Sequence, residues 1–307
     1  ESCTVANIGQ NVGSVEITGS GMSVRISGKH DCLVITGSGN KVTLSPGASF
    51  SGLKVIGENN LVQSSADTYS LGVSCDQLEL SGSGNTLNLS DFSETSSKVT
   101  IGGTENTVTA SFKSISVLSI SCMKSEIEIS SLKDIVDFSV TGNENKIEVS
   151  SALSFSLDVS GSLNEVSARS DESLGAVSAT GNSNWLSLLC KNVGSVSISG
   201  NYNTVTKQNE GGLSSLIIPG SNNTFVLYAG NELSSAEVDG ANNTVSVNGT
   251  AGSIVVNGQK TLLSGSGSVK SLSLNASGCT INLAAEAIAD NSAAGEQDRV
   301  LELVTLG

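Results

Sequence analysis

The sequence predicts an all-β protein: a single-stranded β-solenoid of about fourteen coils, about 20 residues to the coil, with three sides. Three observations lead there. A unit returns with a period near twenty. Apolar and polar residues alternate on both sides of a corner within each unit. An asparagine stands at a fixed place in that corner.

The unit is plainest in ITGSGNKVTL (Ile35–Leu44) and LSGSGNTLNL (Leu80–Leu89). Aligning on the Asn of GSGN gives anchors at Met22, Asn40, Asn60, Asn85, Asn106, Ser125, Asn145, Asn164, Asn184, Asn203, Asn223, Asn243, Thr261 and Cys279. Residues seven and five before each anchor are apolar, as in Leu78 and Leu80 or Val196 and Ile198. The residue two after is apolar in every copy, and the one four after usually is. Period-two alternation marks strands with one buried face. A hairpin needs no fixed long-range recurrence, whereas a coil that stacks on its predecessor does. Gly lies three before the anchor except at Cys122 and Ala276, and is read as a backbone angle that a Cβ would oppose. The apolar residues Leu132, Leu174, Leu213, Leu233 and Val269 between copies are read as the third side. The long copy LVQSSADTYSLGVSCDQLEL is expected to bulge outward. The Asn residues are read as a structural ladder, each amide bonding the next.

This divides the chain into an opening segment (1–11), the solenoid (12–284) and a C-terminal tail (285–307). The opening ESCTVANIGQ reads as a mature end left by processing. In the tail, RVLELVTLG returns as one apolar strand, with Val300, Leu301, Leu303 and Val304 as its candidate assembly residues. It either caps its own rod or pairs with a neighbouring subunit.

Composition narrows the function. The net charge of −14 excludes a basic nucleic-acid footprint and attraction to an anionic membrane. No apolar run approaches a membrane span, so no membrane insertion is expected. The catalytic search returns no catalytic, cofactor or metal residues. His30 is the lone histidine, and its neighbours Asp31 and Cys32 alternate across a strand. Glu16, Glu79, Asp158 and Glu237 share an outward register but sit coils apart, too far for paired-carboxylate hydrolysis. Glu126, Glu128, Glu144 and Glu148 cluster in two adjacent coils and read as a solvated face. Thr pairs at Thr107/Thr109 and Thr204/Thr206 hint at an ice-binding ladder, but Lys41, Glu126, Lys146, Glu165 and Trp185 interrupt it.

Six cysteines suit an oxidising compartment. Only Cys3 and Cys32 look close enough to pair within the chain; the others read as buried thiols or inter-subunit partners. Sequons occur at Asn88, Asn222, Asn242, Asn248 and Asn275; Asn88 is in an outward register, and Asn222 and Asn242 lie at corners.

The unit V-x-I-x-G-x-G-N-x-V-x-L, as in Leu33–Leu44 and Leu78–Leu89, resembles the repeats of an uncharacterised secreted bacterial family, a domain of unknown function. It is also similar to β-solenoid stretches in surface adhesins and extracellular fibre proteins. The resemblance covers about residues 12–284. It implies a secreted, extracellular or cell-surface protein and brings no catalytic residues. The expected function is therefore structural: a subunit of a fibre or surface assembly built head-to-tail from copies of itself. The alternative is a monomeric adhesin or glycan-binding module.

Overall fold

The computed structural model describes residues 6–9, 13–65, 73–89, 95–291 and 299–300. All of its regular elements are strands, and every pairing between them is parallel. The chain forms two compact units, Glu1–Leu153 and Ser154–Gly307, each a β-solenoid.

In the first unit, one stack of strands runs from Ser14–Ile17 through Lys29–Ile35, Ser49–Val55, Ser74–Leu80, Thr95–Ile101 and Ser114–Ile120 to Ile135–Val140. A second stack runs from Ala6–Ile8 to Lys146–Ser151. The second unit repeats the plan. One stack climbs from Phe155–Val159 to Thr250–Val256, and the other from Glu165–Ser170 to Thr244–Val247. Both then merge into the long strands Leu262–Leu274 and Thr280–Asp290.

The longer strands of the first stack are bent. Phe50 pairs with Cys75 and Gly52 with Gln77, and the register skips Ser51 between them. Burial skips too: Phe50 and Leu53 point inward three residues apart. The bend gives each coil three ladder segments, the expected three sides. Leu174, Leu213, Leu233 and Val269 are buried on the third. Leu132 is not; it is 76% exposed, and Ile135 fills its place, paired with Ile115. The Ser131 hydroxyl donates to Asp134 O (3.0 Å). That turn carries Leu132 outward and delays the apolar residue by three positions.

The cores are columns of like residues stacked in register, such as Ile218, Val238, Val256 and Leu274, all fully buried. Each buried aliphatic side chain contributes about 1.5–3 kcal/mol.

The corner corrects the expectation for glycine. The left-handed residue common to all coils is not the Gly three before the anchor, where only Gly103 (φ 87°) is left-handed, but the residue immediately before it. Gly21, Gly39, Gly84 and Gly278 hold that place in four coils. Asn59, Glu105, Lys124, Glu144, Leu163, Ser183, Tyr202, Asn222, Asn242 and Lys260, at φ between 51° and 58°, hold it in the other ten. The earlier Gly is required by contact instead. A Cβ on Gly37 would lie 1.8 Å from Gly19 O, and one on Gly200 1.8 Å from Gly181 O. The carbonyl of the preceding coil fills the space a side chain would need.

Strand pairing reaches beyond 12–284 at both ends, to Ala6 and to Asp290. Arg299–Val300 pairs in parallel with Thr280–Ile281 and so rejoins the stack of its own unit. Leu301, Leu303 and Val304, and residues 66–72 of the expected bulge, lie outside the described residues.

Two substitutions separate the two corner constraints. Gly200→Ala should destabilise by more than about 2 kcal/mol, because the new methyl meets backbone. Lys124→Gly should stabilise by about 0.5–1 kcal/mol, because it relieves a left-handed φ at an exposed site. Urea unfolding midpoints measure both.

Candidate functional site

The most regular polar feature is the asparagine column. All ten Asn anchors are at most 2% exposed. The N–H of one anchor donates to the Oδ1 of the next: Asn40 to Asn60 (3.0 Å), Asn60 to Asn85 (2.9 Å), Asn85 to Asn106 (2.8 Å). In the second unit Asn164, Asn184, Asn203, Asn223 and Asn243 repeat this at 2.8–3.0 Å. Within each unit Nδ2 groups reach back to the corner carbonyl of the coil before, as Asn60 to Gly37 O (2.8 Å) and Asn203 to Gly181 O (2.7 Å). Asn145 does the same to Cys122 O (2.8 Å). Direct amide-to-amide bonds also occur, as between Asn184 and Asn203 (3.1 Å), but the backbone takes the shorter ones. The left-handed residue turns the corner peptides out of the parallel ladder. Buried N–H and C=O groups must still be paired, and the Asn side chain supplies both partners. Ser125 substitutes once, accepting from Asn106 N (3.1 Å) and donating its own N–H to Asn145 Oδ1 (3.0 Å).

A second buried polar group is not visible as a motif. Lys207 sits four after its anchor, where its register neighbours are Leu188 and Leu227, and it is fully buried. Its ammonium donates to Cys190 O (2.8 Å), Asn231 Oδ1 (2.8 Å) and Asn209 O. Those acceptors belong to three consecutive coils. All three are neutral, so burial holds the lysine below its ordinary value. Asn231 is itself buried and donates to Tyr228 O (3.0 Å). The only sequence signal is a lysine in an inward register.

The remaining residues do not converge. His30 is 2% exposed, stacks on Phe50 with ring centroids 5.8 Å apart, and lies 2.9 Å from Ser27 O. It is a packing residue. Among the described cysteines none is disulfide-bonded: Cys75, Cys122, Cys190 and Cys279 are buried and Cys32 half-buried. Burial pushes the Cys75 thiol up to about 12 and raises Cys122 and Cys190. These thiols are packing groups, not nucleophiles. Cys3, the expected partner of Cys32, lies outside the described residues. Lys146 bridges Glu126 (3.1 Å) and Glu148 (3.8 Å) on a solvated face. Among the described residues no three acids, histidines or cysteines are grouped to hold a metal. Of the sequons, Asn88, Asn242 and Asn275 are exposed and Asn222 and Asn248 half-exposed. Outward on the second unit stand Trp185 and Tyr202, 57% and 65% exposed.

Comparison with protein-family models, curated proteins and solved structures finds no match to this chain.

Asn203→Ala should cost about 3 kcal/mol or more, since it orphans Asn184 N–H and Gly181 O together. Asn182→Ala, on the exposed side of the same corner, should cost under about 0.5 kcal/mol. Lys207 gives a pH signature. Its folded pKa lies below the unfolded value of 10.5, so between the two the unfolded chain binds more protons and stability rises with pH. Lys207→Met should flatten that alkaline rise in urea midpoints, and lower stability throughout by leaving three acceptors unpaired.

Proposed function

We propose that this chain is a structural protein, a secreted β-solenoid subunit that associates head-to-tail into an extracellular fibre or surface layer. It is not an enzyme in this reading: its buried polar groups serve coil-to-coil bonding, and its outward acids are dispersed or, around Lys146, lie on a solvated face. The observation that carries the proposal is the pair of strand edges. Among the described residues Ser14–Ile17 pairs on one side only, with Lys29–Ile35. Ala284–Asp290 likewise pairs only with Leu262–Leu274. The described pairings within each unit are parallel, so the first edge of one copy can accept the last edge of another, and such a heterologous contact propagates without closing.

Asp290 tempers the joint. It pairs with Leu274, whose column is apolar in every earlier coil, and so places a carboxylate where an apolar residue would continue the stack. Inward charges at an edge weaken edge-to-edge association. The resemblance of the repeat to secreted bacterial and fibre or adhesin solenoids supports the extracellular placement, as do the surface sequons, which are acceptor sites for glycans in that setting.

Negative-stain electron microscopy over a concentration series, with and without reductant, tests the reading. Fibres should appear at high concentration, and Asp290→Leu should lower the concentration at which they form. If reductant dissolves them, a thiol such as the half-buried Cys32 joins the subunits. Isolated short particles at every concentration, in wild type and Asp290→Leu alike, would overturn the proposal.

A further inference from the structure

Two bulky side chains stand where the corner is least hospitable to them. Leu163 and Tyr202 occupy the left-handed position at φ 58°. In the other coils that position holds Gly or a polar residue. Both side chains are more than half exposed, so burial does not offset the conformational cost. Strain of this kind, retained at the surface, points to use rather than to folding.

Trp185 stands between them. Glu165, Trp185 and Thr204 are in register on consecutive coils, each two residues after Leu163, Ser183 and Tyr202. Trp185 is therefore diagonal to Leu163 one coil before and to Tyr202 one coil after. Coils about 5 Å apart and residues about 3.3 Å apart along a strand put these diagonals at about 8 Å, within reach of aromatic side chains. Small Ser183 fills the corner between Leu163 and Tyr202.

The surroundings are polar but carry little charge. Asn182 and Asn201 line the corner beside the aromatics, and Asn182 Oδ1 accepts the N–H of Asn201 (3.1 Å). Beyond Trp185 the column continues as Thr204, Thr224 and Thr244, stacked in register. Glu165 is the charged residue at its near edge. The matching column of the first unit carries Lys41, Glu126 and Lys146 instead.

We infer that Trp185 and Tyr202, with Leu163 at their flank, form a binding patch for a neutral polysaccharide lying along the coil axis. A pyranose ring presents a face of C–H groups that packs on an aromatic ring, and hydroxyls that bond amides and threonines. It carries no charge that this column would have to match. A second copy of the chain fits less well. The patch measures about 15 by 10 Å, far below the roughly 800 Å² per partner of a stable protein interface. The inference stands apart from the fibre reading, since either can hold without the other.

Trp185 is the only tryptophan in the chain, so its fluorescence reports this patch alone. The intact protein is titrated with soluble β-glucan, xylan, mannan and chitin oligosaccharides, and its retention on cellulose and chitin is measured. At least one neutral polymer should shift the emission and retain the protein. Tyr202→Ala should weaken that binding about tenfold, and Trp185→Ala should abolish retention, with unchanged unfolding midpoints. Lys146→Ala, in the other unit, should bind as wild type. Three results would each overturn the inference: no response to any neutral polymer, undiminished binding by both aromatic variants, or concentration-dependent self-association that Trp185→Ala removes.

Discussion

The corner hydrogen bond between coils is the interaction on which the rest of this protein depends. A parallel β-ladder satisfies the straight segments by itself. It does not satisfy the corner, where one left-handed residue per coil rotates the flanking peptides away from the ladder direction. Those groups are buried, and a buried unpaired N–H or C=O costs about 1–3 kcal/mol. The asparagine amide is the smallest side chain with both a donor and an acceptor in one plane. It accepts from the anchor below and donates to the carbonyl of the corner below. Once that bond sets the stacking distance, the glycine follows, because no Cβ fits against the carbonyl so approached.

This dependence explains which parts of the structure were legible in the sequence. Stacking turns spatial neighbours into residues about twenty apart, so columns in the fold become columns in an alignment. The inward positions, the anchors and the three sides could be read that way. The reason for the glycine could not, since an angle and a contact leave the same mark in a sequence. Nor could the left-handed position be found, because six kinds of side chain besides Gly occupy it under constraint from the coils above and below. Leu132 and Ile135 show the same limit: both are apolar, and only the Ser131–Asp134 turn decides which one faces inward.

Lys207 marks where a repeat departs from its own rule. An ammonium in an aliphatic column would be untenable with the partners available to Leu188 or Leu227. It is held because three chain segments at one edge of the core, at Cys190, Asn209 and Asn231, all turn a carbonyl oxygen toward it. The lysine thus does at one site what the asparagines do at every corner. It donates to groups that the ladder leaves over, and it ties successive coils through their side chains as well as their strands. The alternation of the sequence flags the position as odd, yet two of the three acceptors, at Cys190 and Asn231, lie 17 and 24 residues away and carry no motif.

Inward and outward positions therefore answer to different pressures. Inward, each residue is fixed by the coils on either side, and a change at one level is felt at the next. Outward, the ladder imposes spacing but no chemistry, so matching columns of the two units can differ: Lys and Glu on the first, Thr and Trp on the second. Among the described residues, a chain of this kind fills its interior with its own repeats. What it offers is a ruled surface, with side chains at fixed intervals of about 5 Å along the coil axis. Such a surface suits ligands that are themselves periodic, a second rod or a polymer, better than it suits a small molecule. Any function of this fold therefore has to be sought in the columns where the outward residues break from what the corner and the ladder prefer.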